Sequence, residues 1–183
     1  LEMVYTFLKL NRQFPGIFSH WNLVLAGGCP DENDYLEKIK TVLEKSGCDN
    51  IQLKLNIPGD ELKALYRKSS IFWHLCGLDQ SDPALVEHFG MTIVEAMQNR
   101  LVPVVFDGGG QREIVEPGIS GFRIYSSAEL MTTSLKLARD AQLREELGNN
   151  AFERSKTFSR EVFEKKVRVF FDDVLQIYRS TER

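Results

Sequence analysis

The sequence has few cysteines, little net charge and no long apolar run. Its three cysteines, Cys29, Cys48 and Cys76, form no Cys-x-x-Cys pair, which argues against a disulfide framework or a zinc knuckle and favours buried thiols in a reducing compartment. A net charge of −3 provides no overall basic field for nucleic acid. No apolar run approaches the ~18 residues that a membrane-spanning helix requires. We therefore expect a cytoplasmic protein that does not bind nucleic acid.

The composition is that of a single globular domain. With 183 residues, 43% of them hydrophobic and 27% charged, the chain is long enough to bury a core. No repeat, low-complexity tract or linker divides it, so we assign one domain to residues 1–183. The first residues do not follow the basic, apolar and small-residue pattern of a leader, and 1–10 shows a helical pattern. We expect it to be a segment of a longer parent, cytoplasmic or peripheral at the inner face of a membrane.

Apolar runs and helical patterns alternate along the chain. Short apolar or alternating runs predict strands at 21–26, 51–55, 71–76, 102–106 and 121–125. Helical spacing predicts helices at 1–10, 34–46, 60–66, 90–98 and 114–115, then from 127 onward with breaks near 140 and 148, and a long last helix at 159–178.

This alternation predicts an α/β fold with a Rossmann-like, doubly wound parallel sheet and helices on both faces. The loops at 27–31, 77–92 and 107–112 all follow predicted strands. The carboxyl ends of parallel strands lie at one edge, and such sheets bind ligands there. We therefore expect the binding site at these three loops.

One segment, 87–97, combines two carboxylates with the predicted start of a helix. If the helix begins near Gly90, the amides of Gly90, Met91 and Thr92 lack intrahelical partners and form an anion site. Gly90 lets a phosphate approach the backbone, and Thr92 adds a hydroxyl. Glu95 would lie about 7–8 Å further along the axis, which is the reach from a phosphate to the hydroxyls of a ribose.

Glu87 precedes this helix, on the other side of the anion site. Its carboxylate accepts hydrogen bonds only, and both oxygens can engage the hydroxyls of a sugar. An isolated pair of glutamates at this spacing is more often a favourable partner of the helix dipole. Here the pair stands between a strand with a polar loop and a second strand with a glycine loop. We therefore favour a nucleotide-sugar site, with the sugar at Glu87, the ribose at Glu95 and the diphosphate between them.

Five motifs, in order, resemble those of the retaining glycosyltransferases of family four, whose GT-B architecture has two facing Rossmann-like domains. The resemblance covers nearly the whole chain. The motifs are LVLAGG at 23–28, P-x-x-E-L-x-x-L-Y at 58–66, E-x7-E at 87–95, P-V-V with G-G-x-x-E-I-V at 103–115, and G-x-x-G-F at 118–122.

By this resemblance the chain is the C-terminal, donor-binding domain of a GT-B enzyme, with the N-terminal acceptor domain absent. The resemblance implies that Glu87 is the catalytic residue and holds the donor sugar, and that Glu95 binds the ribose. It places the segment 55–57 against the nucleobase through its backbone. The donor-binding residues assigned in this way are Glu87, His88, Phe89, Gly90, Met91, Thr92, Glu95, Leu55, Asn56, Ile57 and Gly109.

The resemblance also implies partners and cofactors. The partners are a nucleotide sugar and, through the absent N-terminal domain, an acceptor glycan or lipid-linked sugar. The family needs no bound metal or other cofactor, and Asp79 and Asp82 do not form a convincing ligand set. We expect Phe89 to be a packing wedge, His74 a satisfied core histidine, and the long C-terminal helix to leave part of its apolar stripe exposed.

Two other functions stay open at this point. One is a sugar-nucleotide epimerase of the same architecture, which isomerises its substrate instead of transferring a sugar. That chemistry needs acid and base groups near the sugar, and the sequence does not reveal them. The other is a non-catalytic nucleotide-binding module.

Overall fold

The computed structural model describes residues 1–29, 34–80 and 82–181. Strands and helices alternate through most of them. The strands are β1 Leu23–Gly27, β2 Ile51–Leu55, β3 Ile71–His74, β4 Val102–Phe106 and β5 Phe122–Ile124. The helices are α1 Glu2–Gln13, α2 Pro15–Phe18, α3 Asp34–Ser46, α4 Gly59–Lys68, α5 Met91–Gln98, α6 Gln111–Ile114, α7 Ser127–Arg139, α8 Ala141–Ser155 and α9 Arg160–Thr181. Short 3-10 turns lie at Pro83–Leu85 and Lys156–Phe158.

Asp140 separates α7 from α8, as predicted. Its carboxylate accepts a hydrogen bond from the amide of Leu143 at 2.8 Å and so caps α8. The predicted second break, near Gly148, is wrong, because α8 continues through that residue. A Cβ at Gly148 would lie 2.4 Å from the carbonyl oxygen of Arg100. This glycine therefore permits close packing of α8 against the turn between α5 and β4 and does not end the helix.

All pairings between the named strands are parallel. β1 pairs with β2, with Leu23 opposite Ile51. β4 pairs with β3 on one side and β5 on the other, with Val104 opposite both Trp73 and Phe122. The predicted parallel α/β class is confirmed, but the described strands form two sheets and not one continuous sheet, since β1 and β3 share no ladder.

A hydrophobic cluster joins the two sheets. Leu10 of α1 and Phe18 of α2 are buried, and they pack in one cluster with Leu23 of the first sheet and Trp73 of the second. Burial of a side chain such as Leu10 stabilises the fold by about 1.5–3 kcal/mol. The first two helices therefore hold the sheets together in place of strand pairing.

Helices cover both faces of β4, as the doubly wound prediction requires. Successive residues of a strand point to opposite faces. Val105 accordingly packs in a cluster with Ile93 and Met97 of α5, and Val104 packs in another with Leu130 of α7.

The loops after β3 and β4 leave the sheet at the same edge, because His74 lies opposite Val105 in the register. β3 ends at His74, earlier than predicted. The loop predicted at 27–31 is described as far as Cys29, and position 81 of the loop at 77–92 also lies outside the described residues.

The prediction of three buried thiols is wrong. Cys29 and Cys48 are half-buried and Cys76 is exposed. Each lies just beyond the end of a strand or helix.

The last helix, α9, leaves an apolar stripe exposed, as predicted. Phe163, Phe170 and Phe171 have 66%, 63% and 58% of their surface exposed. No helix in the described part of the chain is both long enough and apolar enough to span a membrane.

Candidate functional site

The helix α5 begins immediately after its N-cap, Gly90. Gly90 has φ 102° and ψ 51°, and a Cβ there would lie 2.8 Å from Cδ1 of Ile93, so the position needs glycine. The amide of Val94 donates to the carbonyl of Gly90 at 3.3 Å. The amides of Gly90, Met91 and Thr92 have no hydrogen-bond partner among the described residues. Together with the helix dipole they form the predicted anion-attracting end of α5.

Glu95 is exposed and is held by a buried tyrosine of α4. The hydroxyl of Tyr66 donates to Oε2 of Glu95 at 3.3 Å. Burial, followed by the charge of Glu95 and this hydrogen bond, raises the pKa of Tyr66 to about 12. Tyr66 therefore remains a protonated donor at neutral pH and restrains the Glu95 carboxylate in the second turn of α5.

Glu87 lies in the loop before α5, with 28% of its side chain exposed. Its Oε1 accepts a hydrogen bond from the amide of Phe89 at 3.2 Å. Its Oε2 lies 3.4 Å from Nε2 of His74. These contacts hold the Glu87 carboxylate in place. The side chain is still partly exposed, so the carboxylate can accept hydrogen bonds from the hydroxyl groups of a ligand.

The prediction that His74 is a core histidine is wrong, because its side chain is only half-buried. His74 is half-buried at the end of β3, and its Nδ1 has no hydrogen-bond partner in the described ranges. Burial lowers the pKa of His74, while the charge of Glu87 and interaction with Gln111 act in the opposite direction. The sequence signal is a histidine within a predicted strand whose following loop carries Glu87.

The glycine loop after β4 supports the loop that carries Glu87. The amide of Gly110 donates to the carbonyl oxygen of Glu87 at 2.8 Å. A Cβ at Gly109 would lie 2.1 Å from that same oxygen, and a Cβ at Gly110 would lie 2.3 Å from the carbonyl oxygen of His88. The structure therefore brings the predicted residues Gly109, Glu87 and His88 together through their backbones.

An ion-pair network that we did not predict fixes the start of the glycine loop. Asp107 is buried, and its Oδ1 accepts a hydrogen bond from Nε of Arg112 at 2.7 Å. Nη1 of Arg123 lies 3.7 Å from the same oxygen. Burial alone would raise the pKa of Asp107, but the Tyr125 hydroxyl and the two arginines outweigh it and lower that pKa. The sequence signal is an acid at a strand end with an arginine just beyond the glycine turn.

Phe89 is only partly packed, because 45% of its surface is exposed, so the prediction of a packing wedge is not confirmed. Its ring meets the ring of Phe158 edge-on, with centroids 6.0 Å apart. The neighbouring His88 is exposed. These two residues border the start of α5 on the side of Glu87.

The segment 55–57 follows β2 and is tied to the loop after β1. Asn56 has φ 51°, and its amide donates to the carbonyl of Gly27 at 3.0 Å. Its side chain accepts from the amide of Cys29 at 2.9 Å and donates to the carbonyl of Cys29 at 3.1 Å. Much of the Asn56 side chain is therefore committed within the protein.

No group of three or more His, Cys, Asp or Glu side chains within the described ranges could hold a metal ion.

Comparison with known proteins identifies related sequences. The family model described as "Glycosyl transferases group 1" matches residues 3–154. The GDP-Man:Man(3)GlcNAc(2)-PP-Dol alpha-1,2-mannosyltransferase of Mus musculus is 30% identical over 172 residues, which cover 88% of this chain and 33% of that protein. The chain therefore spans about a third of the length of this curated relative.

Solved structures share the fold. HepE of Anabaena, determined in complex with UDP, has a TM-score of 0.75 and 22% identity, and the match covers 92% of this chain and 44% of that one. The C-terminal domain of the glycosyl transferase group 1 family protein LpcC from Francisella tularensis has a TM-score of 0.66 and 19% identity, covering 85% and 76%. The chain belongs to the glycosyl transferases group 1 family and has the fold of the C-terminal domain of a GT-B enzyme.

Proposed function

We propose that the protein binds a nucleoside-diphosphate sugar at the start of α5 and supports transfer of the hexosyl group to an acceptor hydroxyl with retention of configuration. The observation that carries this proposal is the set of three unpartnered amides, at Gly90, Met91 and Thr92, flanked by the carboxylates of Glu87 and Glu95. The acceptor would be a glycan or a lipid-linked sugar bound by another part of the whole protein.

The diphosphate fits the start of α5 because its charge is complementary. An anion at a helix N-terminus is stabilised by about 0.3–1 kcal/mol when exposed, and by up to about 2 kcal/mol when partly buried. Cleavage of the bond between sugar and phosphate increases the negative charge on the diphosphate. Amides that are already oriented stabilise that charge without reorganisation, so the same groups serve binding and catalysis. We propose that the protein needs no bound metal for this reason.

The two glutamates fit hydroxyl groups at either end of the diphosphate. Both are acceptor-only groups when ionised, and each is held by a donor of the protein, Phe89 for Glu87 and Tyr66 for Glu95. A glycosidase pair instead places its two carboxyls about 5–9.5 Å apart across a single bond. We propose that the two carboxylates instead contact opposite ends of a diphosphate-linked donor.

Calorimetric titration of the protein tests the binding step. The mouse relative is named for GDP-Man and the Anabaena structures contain UDP or UDP-glucose, so the panel comprises GDP, GDP-mannose, UDP and UDP-glucose, with guanosine and uridine as ligands without phosphate. We expect at least one diphosphate to bind far more tightly than its nucleoside. Equal affinity for a diphosphate and its nucleoside would contradict an anion site.

Two glycine variants locate the site. Gly90→Ala introduces a Cβ into a left-handed position and against Ile93, so it should displace the start of α5 and weaken diphosphate binding. Gly59→Ala is the matched control, because Gly59 also opens a helix, α4, and a Cβ there meets nothing within 4 Å. Equal diphosphate affinity in the two variants would place the anion elsewhere.

Product analysis on the whole protein separates the proposed transfer from the alternatives. We expect a glycoside with the anomeric configuration of the donor, identified by proton NMR. An isomerised sugar formed from donor alone would indicate an epimerase. Donor binding without any product in the presence of a range of acceptors would indicate a non-catalytic module.

A further inference from the structure

His74 is placed to orient the carboxylate of Glu87. Nε2 of His74 lies 3.4 Å from Oε2 of Glu87, and the amide of Phe89 donates to Oε1 at 3.2 Å. One neighbour therefore lies against each carboxylate oxygen. A carboxylate oxygen has two acceptor positions, so each oxygen retains one for the hydroxyl of a ligand.

Gln111 lies on the other side of the imidazole. It is fully buried, and its Nε2 donates to the carbonyl of Cys76 at 2.8 Å, which assigns Oε1 as its remaining acceptor. That Oε1 and Nδ1 of His74 are both buried, and neither has a hydrogen-bond partner within the part of the chain that the structure describes. The two atoms are complementary, because a protonated Nδ1 donates and Oε1 accepts.

The imidazole therefore stands between two acceptors. A neutral imidazole carries one N–H and can donate to Glu87 or to Gln111, whereas an imidazolium can donate to both. Burial favours the neutral form and the Glu87 carboxylate favours the charged one. Only the imidazolium satisfies both acceptors at once, and a hydrogen bond from its Nδ1 to Oε1 of Gln111 would fix the plane of the ring and so the direction from Nε2 towards Glu87.

We propose that His74 is a positioning residue that holds the Glu87 carboxylate in the orientation that receives the hydroxyls of the donor sugar, with Gln111 holding the imidazole from behind. This inference rests on the function proposed for Glu87. His74 acts through Glu87 and need not contact the sugar. Its removal should reduce the contribution of the sugar to donor affinity and leave the contribution of the nucleoside diphosphate unchanged.

Two substitutions at position 74 separate donation from packing. His74→Phe keeps an aromatic ring but has no donor, whereas His74→Gln keeps an N–H near the position of Nε2. Calorimetry with UDP and UDP-glucose, or with GDP and GDP-mannose if that pair binds more tightly, gives the ratio of the two affinities for each variant. We expect His74→Phe to lower sugar-nucleotide affinity by about 10-fold, the effect of one hydrogen bond to a charged group, without changing diphosphate affinity. We expect His74→Gln to restore most of the loss.

His20→Phe is the matched control, because His20 is exposed in the turn before β1. It should leave both affinities unchanged. Equal weakening of both ligands by His74→Phe would assign His74 a purely structural role and overturn the proposal. Failure of His74→Gln to restore the sugar contribution would also overturn it.

A double-mutant cycle with Glu87→Ala tests whether His74 acts through Glu87. We expect His74→Phe to cause no further loss of sugar-nucleotide affinity once Glu87 is removed. Additive losses would show that the two residues act independently and would overturn the proposal.

The imidazole nitrogen shifts of His74, measured by NMR on the ligand-free protein, do not depend on donor binding. We expect the Nε2 resonance to change on Glu87→Gln and the Nδ1 resonance to change on Gln111→Leu. If the wild-type protein binds none of the four nucleotides, the proposed function fails while these shifts still report the contacts. If neither substitution changes the nitrogen shifts of His74, the inference about His74 is overturned, even in a protein that binds its donor.

Discussion

The amide of Gly110 donates a 2.8 Å hydrogen bond to the carbonyl oxygen of Glu87. This bond joins the loop after β4 to the loop after β3. The position of Glu87 therefore depends on the backbone of Gly110. The approach is possible because Gly109 and Gly110 leave no Cβ between the two backbones. The glycine loop thus supports the site by allowing the two backbones to approach closely.

Gly110→Ala should disrupt this support. The added Cβ would lie 2.3 Å from the carbonyl oxygen of His88, a contact that only backbone movement can relieve. We expect a loss of about 1–3 kcal/mol in the free energy of unfolding, measured by denaturant titration, and weaker sugar-nucleotide binding. The matched control is Gly16→Ala in α2, where a Cβ meets nothing within 4 Å. Similar unfolding and binding curves for the two variants would contradict the supporting role.

Glu95→Ala should weaken binding of the nucleoside diphosphate itself, because a partner of the ribose is lost. A hydrogen bond to a charged group contributes about 1.5–3 kcal/mol, which corresponds to about 10- to 150-fold in affinity. Tyr66→Phe should have a smaller effect in the same direction, since it removes the donor that restrains Glu95. Calorimetry gives both values, with the exposed Glu145→Ala in α8 as the control. Unchanged affinity in Glu95→Ala would refute the ribose assignment.

Glu87→Ala should change the affinities for the nucleoside diphosphate and for the sugar-bearing donor to different extents. We expect affinity for the free nucleoside diphosphate to remain, while affinity for the sugar-bearing donor and turnover in the whole protein both decrease. The physical reason is that Glu87 lies before α5 and, under the proposed function, its remaining acceptor positions would receive sugar hydroxyls. An equal loss for both ligands, measured by calorimetry, would contradict this division.

Asp107 should make the stability of the protein depend on acid pH. Its pKa is lowered below the ordinary value of 3.8, so its contribution to stability is fully present above that value and is lost as the pH falls through the lowered pKa. We expect Asp107→Asn to reduce the free energy of unfolding at neutral pH, and the difference from wild type to shrink below about pH 4. Asp60→Asn is the control, since the Asp60 side chain is 97% exposed. A difference that is independent of pH between 2 and 7 would argue against the ion-pair network.

Removal of metal ions should not affect donor binding. The amides at the start of α5 provide fixed positive potential for the diphosphate, and this potential does not require a cation. We expect the same dissociation constants in EDTA and in MgCl₂. Binding that is lost in EDTA and restored by Mg²⁺ would show that a cation bridges the diphosphate and the protein.

Local patterns predicted much of the fold. α3, β2 and β4 have their predicted bounds because α3 and β2 have a regular periodicity, β4 is a continuous apolar run, and stop signals such as Gly47 mark their ends. The start of α5 agrees with the prediction within one residue, because Gly90 marks the boundary between the loop and the helix. Gly148 misled the prediction because close approach to Arg100, a tertiary contact, decides its role there.

The site was predictable only where its residues are neighbours in sequence. The order of Glu87, the free amides and Glu95 follows from helix geometry alone. His74, Gln111 and Tyr66 were missed because their partners are distant in sequence, and the pairing of β3 with β4 and the packing of α4 on α5 bring them together. The division into two sheets was missed for the same reason, since strand patterns do not specify which edges pair.

That division gives a bound nucleotide a mechanical consequence. The segment that follows β2 belongs to one sheet, and the free amides of α5 follow β3 in the other. A nucleotide with its base on the first and its phosphates on the second would act as a staple between two halves that share no backbone ladder. The relative motion of the two sheets would then depend on whether the nucleotide site is occupied, and the ligand-free domain would be the more flexible one.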